Sequence, residues 1–359
     1  MNILQIVSAK TWGGGEQYVY DVSSALAAQH RIFIAVNAKS SKLIARFTDV
    51  ATVLPLSFCW ALWGINQLPA LIRLIKREHL EMVNFHSGRA ALLSIFLKIF
   101  TGVKVVSFKH NIKRAKRDFY HRWQRSQIDA FICVSNLAYT YQTQGLTEPE
   151  KAKFYMVYNG VNPQRLSFKV HTPPIKDQVV LGYAGRLAAN KGLGVLLQSL
   201  QKLRTSFPQK NFTLLVAGTG SAQELAFWPQ EAQRLSLSDK VQFLPNVNDM
   251  AAFYAKIDIL VAPSLTKESF GLTVCEAMYC GVPTVATTSG AQAEIITHEI
   301  NGMLSVPGDA NHLAENIGRL IAHPPLYQAL AQSGHERVLQ HFMISHCAQH
   351  LAKIFQQLK

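Results

Sequence analysis

Two glutamates in the second half of the chain, Glu268 and Glu276, have a type and spacing that suit ligand chemistry, with seven residues between them. The residues before them predict a strand that ends at Pro263, and residues 272–279 predict a helix. Glu268 is therefore expected in a loop and Glu276 on the helix. Helix N-termini attract anions through free backbone N–H groups, and a diphosphate suits those of residues 271–273. This arrangement can hold the two ends of a nucleotide sugar, whereas two glutamates at arbitrary spacing are most often solvated surface residues.

Two basic residues follow the first predicted strand of the second half and precede a predicted helix start at Gly192. Arg186 and Lys191 stand five positions apart on this loop, where both side chains can reach one diphosphate. Arginine offers a bidentate fork, and lysine offers a mobile point charge. The pair would offset the negative charge that grows on a departing nucleotide diphosphate. Two basic residues near a helix start are unexceptional in isolation, so the interpretation of this pair as a diphosphate site depends on the other loops.

Glycine turns follow two further predicted strands. Residues 13–15 are glycines that lead from the first strand of the chain into a helix, and Gly218 with Gly220 ends a strand in the second half. Glycine permits positive φ and lets a ligand approach the backbone. The first of these turns has neither the G-x-G-x-x-G spacing of dinucleotide binders nor the lysine of a Walker loop, so a plain strand-to-helix turn is the alternative there. The loop 244–247 is expected to contact a base through backbone groups.

The elements that must position these loops alternate along both halves of the chain. Alternation of strands and helices implies a parallel sheet with helices on both faces, so we expect doubly wound α/β domains. A polar, proline-bearing segment at 163–178 divides the pattern. We therefore expect a first domain over 1–170, a second over 171–342, and a last helix at about 343–359 that packs back on the first. The predicted strands are 3–7, 32–36, 50–55, 82–85, 103–108, 130–134, 179–183, 212–217, 241–244, 257–263, 284–286 and 303–305, and the predicted helices are 17–29, 67–77, 89–100, 192–206, 223–235 and 272–279.

Length and composition bound the class of protein. A chain of 359 residues exceeds one ordinary domain, and about 150 residues per domain suggests two. The chain is 48% hydrophobic and 16% charged, as expected for a folded protein with sizeable cores, not a disordered or polytopic membrane chain. Five cysteines without a C-x-x-C pair argue against a disulfide framework and a zinc knuckle. The N-terminus lacks the features of a secretion signal, and this use of cysteine makes the reducing cytoplasm the expected compartment.

Positive charge is concentrated in the first half. Residues 1–170 hold 22 lysines and arginines against 9 acidic residues, whereas 171–359 hold 14 against 13. Such basicity can attract anionic lipid headgroups, phosphorylated acceptors or nucleic acid, and a solvated face without a partner is the alternative. The basic cluster, which is interleaved with Phe119, Tyr120 and Trp123, consists of Lys104, Lys109, Lys113, Arg114, Lys116, Arg117, Arg122 and Arg125.

The uncharged run 50–72 contains prolines and polar residues, so we expect a strand end, a loop with Phe58, Trp60 and Trp63, and a helix instead of a membrane span.

Taken together, these motifs resemble glycosyltransferase family 4, the retaining GT-B enzymes. The resemblance covers nearly the whole second half in order and extends into the first half. It implies the GT-B fold, in which two Rossmann-like domains face each other across a deep cleft, with the acceptor on the first domain and the donor on the second. The motifs that carry it are Gly185-Arg186 with Lys191, Gly218-x-Gly220, Pro263-Ser264, the Glu268 to Glu276 segment, Ala277, Gly281-x-Pro283, Glu294, Asn301-Gly302, the glycines 13–15, His110, Ser135 and residues 159–161.

The resemblance also implies a reaction. A sugar would move from a nucleotide diphosphate donor, with a UDP-sugar expected first, and the configuration at its anomeric carbon would be retained. No metal or other cofactor is expected, and no Asp-x-Asp motif occurs in the sequence. The expected acceptor is a saccharide or lipid-linked saccharide of lipopolysaccharide core, capsule or exopolysaccharide. The basic first half would then contact an anionic membrane peripherally on the cytoplasmic face of the inner membrane.

Roles follow for residues at the matching positions. Glu276 should hold the ribose hydroxyls, and Glu268 should hold sugar hydroxyls near the reacting carbon. His110 should orient sugar and acceptor more than act as a base, while His86 is a lesser candidate that could equally be structural. Ala291 and its neighbours depart from the family pattern before Glu294, which affects the expected contacts to the donor sugar. The expected catalytic residues are Glu268, His110, Arg186 and Lys191, and the expected donor-binding residues are Gly14, Gly15, Gly218, Gly220, Val247, Phe270, Gly271, Leu272, Thr273 and Glu276.

Two other functions remain open at this point. A nucleotide-sugar epimerase or hydrolase can use the same fold, because a fold alone does not fix chemistry. A basic nucleic-acid-binding protein is the alternative from a different class, but the sequence contains no recognised nucleic-acid module. The donor loops would be unexplained in such a protein, so nucleic acid is not an expected partner.

Overall fold

A computed structural model describes residues 1–9, 11–59, 64–169, 171, 173, 177–245 and 247–359. It divides into two compact units, Met1–Gly160 with Ile344–Lys359, and Val161–Met343. The division falls after Gly160 and not after residue 170, because the residues that follow are bonded to the second unit. Val161 N–H donates to Phe342 O at 2.7 Å, and Lys169 N–H donates to Cys280 O at 3.2 Å.

The first unit is built on a parallel sheet. Its described residues form seven strands in the order β3-β2-β1-β4-β5-β6-β7, and every neighbouring pair is parallel. The order reverses direction between β1 and β4, which is the switch point where ligands bind in such sheets. The strands are β1 (Asn2–Ile6), β2 (Arg31–Asn37), β3 (Thr52–Leu56), β4 (Met82–Phe85), β5 (Lys104–Lys109), β6 (Ala130–Cys133) and β7 (Phe154–Met156).

Helices separate these strands along the chain. Strands β1, β2, β4 and β6 are almost entirely buried, as expected for a parallel sheet covered on both faces. The predicted loop at Phe58 is described only in part, because Trp60 and Trp63 lie outside the described residues. The helices of this stretch are α1 (Gly14–Leu26), α2 (Ser41–Thr48), α3 (Leu68–Arg77), α4 (Ala91–Thr101), α5 (Phe119–Gln127), α6 (Asn136–Thr143) and α7 (Glu148–Lys151).

The second unit repeats the same architecture. In its described residues, six parallel strands lie in the order β10-β9-β8-β11-β12-β13, so the direction again reverses beside the first strand of the unit. The strands are β8 (Gln178–Ala184), β9 (Asn211–Ala217), β10 (Val241–Leu244), β11 (Ile259–Ala262), β12 (Thr284–Thr287) and β13 (Met303–Ser305). The helices are α8 (Leu193–Ser206), α9 (Ala222–Arg234), α10 (Met250–Tyr254), α11 (Leu272–Tyr279), α12 (Gln292–Ile295), α13 (Ala310–Ala322) and α14 (Pro324–His341).

The last helix, α15 (Ile344–Leu358), belongs to the first unit. Its buried residues include Ile344, Cys347, Leu351 and Phe355, a spacing of three and four that forms one apolar stripe. This stripe joins the core formed by α1 and the sheet, where the Tyr18 hydroxyl lies 3.8 Å from Cys347 Sγ.

No helix among the described residues combines the length and the apolar character needed to cross a bilayer.

Candidate functional site

Lys191 and Glu268 form an ion pair at the carboxyl edge of the second sheet. Lys191 lies after β8, Glu268 lies after β11, and these two strands are neighbours. Lys191 Nζ donates to both carboxylate oxygens of Glu268, at 2.6 and 2.8 Å, and Ser264 Oγ donates to Oε1 at 2.6 Å. The side chains of Lys191 and Glu268 are 23% and 19% exposed, so the pair is shielded but open to a ligand. Lys191 is therefore held in place by Glu268, the carboxylate that was expected from the sequence to bind hydroxyls of the donor sugar.

Close backbone packing fixes the loop that carries Lys191. Gly192 has φ +78°, and a Cβ at this position would lie 1.9 Å from Pro263 O. Only glycine permits this approach between the loop after β8 and the loop after β11. Leu265 N–H donates to Asn190 O at 2.9 Å, which joins the same two loops.

A third loop supports Glu268 from the other side. Glu268 N–H donates to Ser289 O at 3.2 Å, and Ala291 N–H donates to Glu268 O at 2.9 Å. Gly290, with φ +78°, lies between these bonds, and a Cβ there would lie 2.4 Å from Glu268 N. The loops after β8, β11 and β12 thus meet at Glu268, where Lys191 and Ser264 bind its carboxylate and the loop after β12 binds its backbone.

The start of α11 offers backbone donors, as the sequence predicts. The helix begins at Leu272, after Gly271 with φ +134°, and no side-chain cap is present among the described residues. The hydrogen bond from Cys275 N–H to Gly271 O, at 3.1 Å, is the first that closes a helical turn. The N–H groups of 272–274 precede that turn, so this end of the helix suits an anion. Phe270 is buried beside the helix start.

Glu276 is a buried carboxylate with two donors that the sequence did not reveal. Only 4% of the residue is exposed. Tyr254 Oη donates to Oε2 at 2.9 Å, and an Arg165 guanidinium nitrogen donates to Oε1 at 2.9 Å. Burial and the Glu276 carboxylate raise the pKa of the Tyr254 hydroxyl, so this group stays a donor. Both carboxylate oxygens therefore accept hydrogen bonds from the protein, which fixes the carboxylate.

Arg186 differs from Lys191 in its surroundings. Its side chain is exposed and makes no hydrogen bond or ion pair with any residue of the described ranges. Its backbone oxygen accepts a hydrogen bond from Tyr183 Oη at 2.6 Å, which fixes the loop but leaves the guanidinium available. Of the two basic residues, Lys191 is therefore ion-paired with Glu268, whereas the Arg186 guanidinium has no such partner in the described ranges.

In the turn after β9, packing requires glycine at Gly218, whereas the atom nearest to a Cβ at Gly220 would be the end of a flexible side chain. A Cβ at Gly218 would lie 1.9 Å from Gly185 O, so the turns after β8 and β9 touch through backbone alone. A Cβ at Gly220 would lie 2.7 Å from Glu224 Oε2. Val247 is half-buried in the loop after β10, and the neighbouring Asn246 lies outside the described residues.

The glycines before α1 have a different environment. The helix begins at Gly14, and Gln17 N–H donates to Gly13 O at 2.9 Å. No described atom lies within 4 Å of a Cβ placed at Gly14 or Gly15. Packing does not demand glycine at these two positions, so the space beside this backbone is open to a ligand.

His110 and His86 lie together in the first unit. His110 follows β5, His86 follows β4, and His86 Nδ1 is 3.0 Å from His110 Nε2. His86 Nε2 is 2.8 Å from Oε1 of Gln5, which is on β1. Burial lowers the pKa of His110 to about 4, and burial together with His110 lowers the pKa of His86 well below its ordinary value. Both imidazoles are therefore neutral at pH 7, and His86, the lesser candidate in the sequence, is bonded to the principal one.

The basic cluster divides into buried and exposed members. Arg125 is buried and donates to Glu150 Oε1 at 2.7 and 3.1 Å, so it serves the structure. Lys109 stands 5.0 Å from the Phe131 ring centre, and burial lowers its pKa to about 8. Phe119 is 87% exposed on α5. The exposed basic members are Lys113, Arg114, Lys116, Arg117 and Arg122.

Comparison with known proteins gives two family matches in sequence order. Residues 12–165 match Glycosyltransferase Family 4, and residues 165–337 match Glycosyl transferases group 1. An uncharacterized glycosyltransferase of Haemophilus influenzae is 25% identical over 331 residues, which are 90% of this chain and 90% of that protein. The lipopolysaccharide core biosynthesis mannosyltransferase LpcC of Rhizobium leguminosarum is 24% identical over 303 residues, 82% of this chain and 83% of that protein.

A solved structure shares the fold along the whole chain. Anabaena Alr3699/HepE in complex with UDP and glucose matches with a TM-score of 0.81 at 21% identity, over 99% of this chain and 100% of that one. This likeness and the two Rossmann-like sheets confirm the predicted GT-B fold class. With both family matches in order, the chain is a glycosyltransferase and belongs to glycosyltransferase family 4, the Glycosyl transferases group 1 proteins.

Proposed function

We propose that this glycosyltransferase moves a sugar from a UDP-sugar to a saccharide or lipid-linked saccharide acceptor, without a metal and with retention at the anomeric carbon. The observation that carries the proposal is the site at the carboxyl edge of the second sheet. It combines the Lys191–Glu268 pair, the uncapped start of α11 and the buried Glu276. A nucleotide sugar presents hydroxyls at both ends and a diphosphate between them, which are the groups that these residues can bind.

The proposed roles follow from the environment of each side chain. Glu276 binds the ribose hydroxyls, because its carboxylate is fixed by Tyr254 and Arg165. The backbone donors at the start of α11 bind the diphosphate or the sugar. Arg186 binds the leaving diphosphate, since its guanidinium is exposed and uncommitted. Donors that are positioned before the reaction stabilise charge as it develops, with little reorganisation.

Glu268 and Lys191 are proposed to exchange partners when the donor binds. A diphosphate beside Lys191 competes with Glu268 for its ammonium group, and sugar hydroxyls can donate to the carboxylate that is released. Because the pair is only partly exposed, its charges are weakly screened and the exchange responds to a charged ligand. Lys191 then carries part of the charge of the departing diphosphate.

UDP is the first nucleotide to test, because the Anabaena relative in fold was solved with UDP and glucose. A ligand that binds the folded state raises the melting temperature by mass action. We expect UDP to raise the melting temperature of this protein more than GDP or ADP does, in the presence of EDTA. A larger shift with GDP or ADP would reassign the base.

Transfer itself is tested with UDP-sugars and saccharide acceptors in EDTA. The expected product is a larger saccharide whose new bond keeps the anomeric configuration of the donor sugar, which proton NMR of the product reports. Donor consumption without a larger sugar product would instead favour an epimerase or a hydrolase. Loss of activity in EDTA that added metal restores would contradict metal independence.

The acceptor is proposed to be an envelope glycan precursor at the cytoplasmic face of the inner membrane. One support is the Rhizobium relative, whose name states lipopolysaccharide core biosynthesis. Another is α5, where Phe119, Tyr120 and Trp123 are 87%, 43% and 37% exposed among basic residues. Aromatic side chains beside lysine and arginine suit the headgroup region of an anionic bilayer.

Vesicle sedimentation tests this contact. We expect the protein to sediment with vesicles that contain phosphatidylglycerol, less so with pure phosphatidylcholine, and less so at high salt. Phe119→Ala with Trp123→Ala should weaken binding, while Phe227→Ala, which removes a half-exposed aromatic residue from α9, should not. Equal sedimentation with both vesicle types would contradict the proposal.

A further inference from the structure

Three side chains form a hydrogen-bonded chain at the switch point of the first sheet. Gln5 lies on β1, His86 follows β4, and His110 follows β5, and these strands are adjacent. The distances are 2.8 Å from Gln5 Oε1 to His86 Nε2 and 3.0 Å from His86 Nδ1 to His110 Nε2. The carboxyl ends of neighbouring parallel strands meet at one edge, which explains how residues far apart in sequence come together.

The direction of each bond follows from the chemistry of a neutral imidazole, which has one donor nitrogen and one acceptor nitrogen. The Gln5 oxygen accepts, so His86 Nε2 carries the hydrogen and His86 Nδ1 is left as the acceptor. The nitrogen that faces His86 Nδ1 must then donate, so His110 carries its hydrogen on Nε2. His110 Nδ1 is left as the acceptor of that ring.

The surroundings keep both rings neutral, as this assignment needs. Phe108 stacks on His86 with ring centres 4.5 Å apart, and Tyr18 packs edge-on against His110 at 5.0 Å. Tyr18 bonds to Cys347, and burial raises the pKa of both groups, so neither is charged at pH 7. Within the described residues, no carboxylate bonds to either imidazole. Burial lowers the pKa of His110 to about 4, in agreement with a neutral pair.

We propose that Gln5 and His86 are positioning residues that hold His110 as the Nε2–H tautomer, so that its Nδ1 accepts a hydrogen bond from a substrate hydroxyl. The inference rests on the proposed sugar transfer and deepens it. His110 orients a hydroxyl by accepting its hydrogen bond, and it does not donate one to a substrate oxygen. The Gln5 amide, on another strand, thereby determines that the Nδ1 of His110 accepts a hydrogen bond instead of donating one.

The opposite arrangement is well defined. If the Gln5 amide were turned by 180°, its nitrogen would donate to His86 Nε2, every bond of the chain would reverse, and His110 would carry its hydrogen on Nδ1. His110 would then offer a donor to substrate oxygens. A bond between the Gln5 amide and His86 forms in either arrangement; in the structure Oε1 faces His86, and the Gln5 nitrogen has no partner among the described residues.

Nitrogen-15 NMR of the protein with labelled histidine distinguishes the two arrangements without any substrate. Long-range correlation spectra separate protonated from unprotonated ring nitrogens, and the His86→Phe and His110→Phe proteins assign the signals. At pH 7 we expect a protonated Nε2 and an unprotonated Nδ1 in both rings. A protonated Nδ1 on His110 would overturn the inference.

Kinetics of two variants test whether the chain matters to transfer. His86→Phe keeps an aromatic ring beside Phe108, and Gln5→Met keeps the volume of the side chain while removing the amide. Both should lower kcat roughly 10- to 100-fold, by analogy with the residues that orient metal-binding histidines, whose loss has an effect of that size. The affinity for UDP should be unchanged, because the proposed nucleotide site is on the second unit. His110 should show a mixture of tautomers in both variants, which a purely structural role of His86 would not produce.

A matched control is His30→Phe. His30 lies just before β2, at the amino edge of the same sheet, and its Nδ1 is 3.3 Å from the N-terminal nitrogen. The same substitution there should leave kcat and the His110 spectrum unchanged. Full activity of folded His86→Phe and Gln5→Met proteins would overturn the positioning role. If the wild-type protein transfers no sugar, the proposed function fails, while the NMR experiment still decides the tautomer.

Discussion

Lys191 and Glu268 bind each other directly, so they are expected to act as a unit. Removing one preorganised donor lowers rates by about 10² to 10³, and residues that act together give non-additive losses. We expect Lys191→Ala and Glu268→Gln each to lose transfer activity in that range, and the double variant to lose little more. Initial rates of sugar transfer for the three proteins measure this.

The control for this cycle is Lys202→Ala, since Lys202 is an exposed lysine on α8, outside the site. It should keep wild-type rates. If the two single losses multiplied in the double variant, the two residues would be acting independently. Near-wild-type transfer by Lys191→Ala would remove Lys191 from the mechanism altogether.

Tyr254 and Tyr327 provide a matched pair for the environment of Glu276. Both are fully buried tyrosines whose hydroxyls donate, Tyr254 to the Glu276 carboxylate at 2.9 Å and Tyr327 to the Asp258 carbonyl at 2.7 Å. A hydrogen bond to a charged group contributes about 1.5–3 kcal/mol, against about 0.5–1.5 for a neutral one. Tyr254→Phe should therefore lower the free energy of unfolding more than Tyr327→Phe, as urea titrations measure.

The two variants should also differ in ligand binding. Only Tyr254→Phe should weaken UDP binding, because only Glu276 is proposed to hold the ribose; calorimetric titration with UDP measures this. Equal UDP affinity in both variants would show that Glu276 does not bind the nucleotide.

At the residue scale, the sequence revealed the groups that belong to a motif and missed their partners. Glu268 and Glu276 are recognisable because they lie close together in the sequence, with a glycine between them. Arg165, by contrast, lies 111 positions from Glu276, and Gln5 lies 81 positions from His86. Neither partner has a local pattern, since only the folded sheet brings it to the site.

At the element scale, backbone contact between loops makes Gly192 irreplaceable, and Gly308 provides the control. Both have positive φ, +78° and +85°, but a Cβ at Gly192 would meet Pro263 O at 1.9 Å, whereas no described atom lies within 4 Å at Gly308. An L-residue in the left-handed region costs roughly 1–2 kcal/mol at either site. Gly192→Ala adds displacement of the Lys191 loop, so it should lose both stability and transfer activity.

Thermal unfolding and transfer rates of the two alanine variants measure the difference. Gly308→Ala should lower the melting temperature modestly and keep its activity. Equal behaviour of the two proteins would show that the contact with Pro263 is not what fixes the loop.

Elements with a clear apolar pattern were predictable, including short strands such as β4 and β13, whereas the polar helix α5 was not. Helix α11 was predicted with the bounds that the structure shows, 272–279, because its apolar residues and the preceding glycine mark it. Helix α5 was not predicted, since basic and polar residues dominate Phe119–Gln127 and few of its side chains are buried. Its start depends on Asp118, whose carboxylate accepts from His121 N–H at 3.1 Å.

At the scale of the whole molecule, the sequence predicted two doubly wound sheets but placed the division after residue 170. Composition and prolines marked a linker, yet the residues after Gly160 bond to the second unit through Val161, Arg165 and Lys169. A backbone hydrogen bond or a distant ion pair leaves no sign in composition. The return of α15 to the first unit was expected as a helix at about 343–359, and its apolar stripe explains where it packs.

The buried histidine pair should make the stability of the protein depend on pH. Burial lowers the pKa of His110 to about 4 and that of His86 well below its ordinary value, and in the unfolded chain both return to about 6.5. Between these values the unfolded state binds more protons, so the pair contributes its full stabilisation above about pH 6.5 and loses it as the pH falls towards about 4.

Calorimetry of the wild-type protein and the His86→Phe, His110→Phe double variant between pH 7.5 and 4.5 measures this contribution. Acidic groups such as Glu81 and Glu150, whose pKa values are lowered by their partners, are common to both proteins and cancel in the difference. The melting temperature of the wild type should therefore fall more steeply below pH 6.5 than that of the variant. Parallel curves would mean that the two imidazoles are as easily protonated in the folded protein as in the unfolded chain, and the neutral, hydrogen-bonded pair at the switch point would have to be abandoned.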